Sequence, residues 1–77
     1  MEYKYNYKIE LNTYKDIVEF VNIMTSLAPA QRVYVTSDKL VGNAKSLLNM
    51  MATVEWDNLV CRSDYDIYTL IKKWIKG

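Results

Sequence analysis

Apolar and polar residues change their period several times along this chain. From Tyr3 to Leu11 they alternate strictly: Tyr3, Tyr5, Tyr7, Ile9 and Leu11 share one face, and Lys4, Asn6, Lys8 and Glu10 share the other. Period two with aromatic and β-branched residues predicts a half-buried strand with its odd face on the core. Asn12 and Thr13 stop it, and Thr13-Tyr14-Lys15-Asp16 has the spacing of a capping box. Ile17, Val18, Phe20, Val21, Met24 and Leu27 then recur at helical spacing, so a helix of about 13 residues is expected before Pro29.

Alternation returns at Arg32-Val33-Tyr34-Val35-Thr36, which places Val33 and Val35 inward and Tyr34 outward. Ser37-Asp38-Lys39 is turn chemistry, Leu40-Val41 begins a return strand, and Gly42-Asn43 is expected to break it. Ala44 to Met51 looks helical, with Asn43 as its cap. Glu55-Trp56-Asp57-Asn58 is a loop and Leu59-Val60-Cys61-Arg62 a last strand. Ser63-Asp64-Tyr65-Asp66 is a second capping-box pattern opening a final helix, whose stripe is Ile67, Leu70, Ile71, Trp74 and Ile75. Lys72, Lys73 and Lys76 fall in its last turns, where cations complement the helix dipole. The order β-α-β-β-α-β-α predicts an α+β fold, with a four-stranded antiparallel sheet covered on one face by three helices. This pattern does not separate it from a ferredoxin-like split βαβ arrangement.

Composition narrows the picture. Seventy-seven residues suffice for a single domain spanning 1–77. Ten Lys and Arg against nine Asp and Glu leave a net charge of +1. That balance argues against nucleic acid as a partner, although it leaves a local basic patch open. One cysteine, Cys61, excludes an internal disulfide and is expected as a buried thiol. The first residues lack the apolar core of a signal peptide, and no run reaches the roughly 20 apolar residues of a membrane span. A cytoplasmic location is the default expectation. There is no histidine, so neither a Cys-His pair nor an ordinary metal site is expected, and no cofactor is implied.

The stretch from Val33 to Met51, and Ala44-Lys45-Ser46-Leu47-Leu48 within it, resembles the central part of HPr, the phosphocarrier family of the sugar phosphotransferase system. The resemblance implies an open-faced β-sandwich. It also implies an active loop, with a histidine and an arginine, at the start of the first helix. Thr13 falls nearest the histidine position and Lys15 nearest the arginine; the family's proline is absent. The relay needs a labile phosphoramidate on imidazole, so a chain without histidine is expected to be a non-catalytic relative and not an enzyme. Ser46 matches the family's regulatory phosphoserine, although a helix-start serine has an ordinary capping role as well.

By the same resemblance, the first helix and the Ser46 helix form a docking face for a protein partner, made of Tyr14, Lys15, Lys45, Leu47, Leu48, Met50 and Met51. Four apolar residues in five positions cannot all point inward from one helix, which supports exposure of part of this set. The alternative is a single-stranded nucleic-acid-binding module of split βαβ topology, using Tyr34, Arg32 and Arg62 on the open sheet face. Tyr3, Tyr5 and Tyr7 could also stack on bases, but alternation into the core explains them more simply.

Overall fold

Two crossovers of the same kind build the sheet. The computed structural model describes residues 4–38 and 40–76, including every side chain among them except that of Val54. Its strands are β1 (Tyr5–Lys8), β2 (Val33–Ser37), β3 (Leu40–Asn43) and β4 (Val60–Ser63). Its helices are α1 (Tyr14–Thr25), α2 (Leu47–Met51) and α3 (Tyr68–Ile71). Single 3₁₀ turns follow α2 at Ala52–Glu55 and α3 at Lys72–Trp74. The sheet order is β1-β4-β2-β3 with every neighbouring pair antiparallel. β4 therefore lies between the parallel strands β1 and β2 that α1 joins, and β2 lies between β3 and β4. These are two interleaved split βαβ units.

The expected α+β architecture, with an open antiparallel sheet and three helices, is what forms. Inward side chains of the central strands, Val33, Val35 and Cys61, are buried. They share one core with Ile17, Phe20, Val21 and Met24 of α1, Met50 of α2 and Ile71 of α3. Phe20 meets Trp74 edge to face, with centroids 5.5 Å apart. The α1 stripe is narrower than its pattern suggested: Val18 lies on the outer side and is exposed. The Thr13 hydroxyl accepts the Asp16 N–H at 3.2 Å and so caps α1.

Several boundaries differ from expectation. β1 is shorter than the alternating run, because beyond Lys8 the chain pairs on both sides. Ile9 donates to Leu59 and bridges Ile75, Glu10 donates to the Trp74 carbonyl, and Lys76 donates to the Lys8 carbonyl. Tyr3 lies outside the described residues, as does Lys39 of the β2–β3 turn, where Asp38 takes a positive φ of 49°. Gly42 and Asn43 do not break β3. They pair with Val35 and Tyr34, and Gly42 is buried beneath the Trp56 ring.

The second capping box does not form either. Ser63 stays in β4 with its hydroxyl accepting the Tyr65 N–H, and the helix starts later, where Asp66 accepts the Tyr68 N–H. The Tyr7 hydroxyl holds that junction from the sheet: it donates to Asp66 at 3.0 Å and accepts the Ile67 N–H at 3.2 Å. α3 is accordingly one turn, and Leu70 in its expected stripe is exposed.

Both sheet edges are partly closed. On β3, the Asn43 N–H donates to the Asn49 side chain and its carbonyl accepts from Ser46. On β1, the 74–76 segment occupies the Lys8–Glu10 backbone. Strand addition is thereby limited without proline or bulges.

Removing the Tyr7 hydroxyl tests the α3 anchor. Tyr7→Phe leaves the Ile67 N–H without its acceptor and should lower stability by about 1–2 kcal/mol in urea unfolding. Tyr14→Phe, on an exposed ring, should change it little.

pH dependence gives a second test. Burial pushes the Cys61 thiol up from 9.0 to about 12. A raised folded-state value contributes stability that is complete below the unfolded value and lost as pH rises above about 9. Stability should be flat between about pH 6 and 8, where no histidine titrates. It should fall above about pH 9, and the fall should be shallower in Cys61→Ala by urea titration across pH.

Candidate functional site

α1 and α2 pack against each other, with Thr13, Tyr14 and Lys15 at the start of α1 and Lys45 at Ala28, past its end. At the start of α1, Thr13 has extended backbone, with φ −134° and ψ 161°, and its hydroxyl is committed to the helix cap. Tyr14 is 56% exposed and Lys15 is exposed beside it. Next to this turn lies an open cleft of about 400 Å³, bounded by Glu10, Asn12, Lys15, Asp16, Glu19, Lys73 and Lys76. Its cations face carboxylates. Lys73 pairs with Glu19 and packs over the Trp74 ring, and Lys76 lies 3.6 Å from Glu10. Such a charge-balanced cleft offers no concentrated positive potential to a phosphoryl group. It also presents no imidazole that could carry one.

α2 is set by a reciprocal arrangement at its start. The Asn43 side chain accepts the Lys45 N–H at 2.9 Å, and the Ser46 hydroxyl accepts the Asn49 N–H at 3.4 Å. The Asn49 side chain returns to the Asn43 N–H. The cap is therefore Ser46, not Asn43, and Asn43 organises the turn before it. The capping role expected of a helix-start serine is the one Ser46 fills.

A five-residue helix buries only one of its apolar side chains. Met50 is that residue, at 0% exposure, and it is thus a core residue and not part of an accessible face. Its place among the expected docking residues is corrected on that ground: it is the position of α2 that turns toward α1 and the sheet. Leu48 is 84% exposed, and Leu47 and Met51 are each 42% exposed. Lys45 is half-buried, and its ammonium donates to the Ala28 carbonyl at 2.8 Å, just past the end of α1. It ties the two helices together and is not a freely presented rim charge.

Val18, one turn after Tyr14, was missed as a surface residue. The signal was present: Ile17, Phe20, Val21 and Met24 already complete one face, and Val18 falls outside it. Among the described residues, no group of three or more His, Cys, Asp or Glu side chains is placed to hold a metal, and no helix is long and apolar enough to cross a membrane.

The contrast between Met50 and Leu48 gives a direct check. Met50→Ala should cost about 2–5 kcal/mol, the range for an emptied core site. Leu48→Ala should stay within about 0.5 kcal/mol of the parent in the same denaturant titration.

Scans against protein-family models, curated proteins and solved structures give no match to this chain.

Proposed function

We propose that this chain is a non-catalytic HPr-like module that docks a protein partner through the α1–α2 layer. The observation that carries the reading is the set of exposed apolar side chains on two packed helices: Leu47, Leu48 and Met51 on α2, with Tyr14 and Val18 on α1. A surface of this kind, bordered by polar residues, is the ordinary mark of an interaction site. Met51 adds a side chain that repacks readily against a partner. The element order and the open sheet agree with what the HPr resemblance implies, and Ala44-Lys45-Ser46-Leu47-Leu48 falls at the strand-to-helix junction that the resemblance places there.

Phosphoryl relay is not part of the proposal. Thr13 and Lys15 stand at the degenerate active-loop positions, and a phosphate ester on a threonine or tyrosine hydroxyl is too stable to pass on. Incubation with the phosphorylated donor of a sugar phosphotransferase system should leave no acid-labile phosphate on this chain. Ser46 as a regulatory phosphosite rests on the resemblance alone. A phosphate on its oxygen would have to replace the capping bond to Asn49.

Leu48→Asp tests the docking face. Its position is exposed, so the variant should melt like the parent. Affinity for a partner isolated with the parent chain should fall roughly thirtyfold by calorimetry, as expected when a hot-spot residue of about 2 kcal/mol is lost. Unchanged affinity in Leu48→Asp and in Met51→Asp would exclude this face.

A further inference from the structure

We propose that the open face of the sheet, opposite the helices, binds single-stranded nucleic acid with Tyr34 as a stacking platform. The net charge of +1 conceals how the charges are distributed. The strand register aligns two rows on this face. Asn6, Arg62, Tyr34 and Asn43 form the middle row, and Lys8, Val60, Thr36 and Val41 form the next. At the other end, Arg32 pairs with Asp64 at 3.3 Å, and alternation along β1 puts Lys4 on the same side. Lys4, Lys8, Arg32 and Arg62 thus lie on this face with the carboxylate of Asp64, and the same alternation adds Glu10 beyond the end of β1, where it pairs with Lys76.

Nucleic acid fits this grid better than a generic anion does. Two planar groups, the Tyr34 ring and the Arg62 guanidinium, are direct neighbours on the two central strands. Arg62 is held by Thr36 at 3.1 Å and Asn6 at 3.0 Å, which orients it across the sheet before any ligand arrives. A ring on a central strand, with Arg62 on the strand beside it and Lys8 on the edge strand beyond, combines base stacking with phosphate attraction. Lys4 and Lys8 are about 13 Å apart at roughly 3.3 Å per residue, so a strand that crosses the sheet along the middle row passes between them at Asn6 and reaches the Tyr34 ring two strands further on. This face lies opposite the α1–α2 layer, and the inference stands independently of the docking reading.

Fluorescence anisotropy with labelled oligo(dT) and oligo(U) of roughly 10 nucleotides tests it. Binding at low salt should weaken with a log–log slope of roughly −2 to −3, as three or four neutralised phosphates require. Tyr34→Leu should weaken binding about tenfold or more, while Tyr34→Phe should retain it within about twofold, because only the ring is used. Lys8→Glu should flatten the salt slope, and Leu48→Asp should leave binding unchanged. The proposal fails if neither oligonucleotide binds at the lowest salt, including the case where the chain binds anionic lipid vesicles instead. It fails equally if Tyr34→Leu and Lys8→Glu bind as the parent does, or if Leu48→Asp abolishes binding.

Discussion

The edge-to-face packing of Phe20 on Trp74 is the contact on which the rest of the structure depends. Phe20 comes from the middle of α1 and Trp74 from the turn after α3, so their meeting fixes the first helix against the last segment of the fold. Aromatic pairs of this kind add about 0.5–1.5 kcal/mol beyond the burial of their large surfaces. The backbone next to the pair extends the effect. The Trp74 carbonyl receives the Glu10 N–H, Ile75 bridges Ile9, and Lys73 pairs with Glu19 of α1. One aromatic contact thus sets the chain from β1 into α1 and closes the β1 edge of the sheet. A domain of this size buries a modest fraction of its surface, and such shared roles matter more in it than in a larger one.

Much of the fold was legible because period-two and period-3.6 patterns are strong where one face of an element is buried. Val33 and Val35 inward with Tyr34 outward, and Ile17, Phe20, Val21 and Met24 as the buried face of α1, follow directly from spacing. The misreadings lie where tertiary pairing overrides local preference. Gly42 looks like a breaker, yet it is drawn into β3 by pairing with Val35 and covered by Trp56, a residue 14 positions away. Ser63 looks like a helix cap, yet it remains in β4 while Tyr7, from the first strand, determines where α3 begins. No local pattern encodes those partners. The candidate site was legible in the same partial way. That some of Leu47, Leu48, Met50 and Met51 must be exposed followed from their crowding, whereas the choice of Met50 as the buried one required knowing where α1 lies.

The two proposed surfaces share a physical logic. Thr13 and Ser46, the hydroxyls at the starts of α1 and α2, are taken up by capping, and the cleft beside Thr13 is balanced in charge. What the two faces present beyond these caps is shape, apolar area and charge. The helix layer offers apolar area, and the open sheet face offers an aromatic ring and cations. The proposed protein and nucleic-acid partners are assigned accordingly, each to the face whose chemistry suits it.

Both assignments require the central strands to be β4 and β2, because that order puts Arg62 beside Tyr34 and leaves the helices together on the opposite face. Long-range nuclear Overhauser contacts measure this most directly. The account predicts cross-strand contacts between Val35 and Cys61 and between Tyr34 and Arg62, with contacts between the Phe20 and Trp74 rings. Contacts placing β1 directly beside β2, with β4 at an edge of the sheet, would contradict it.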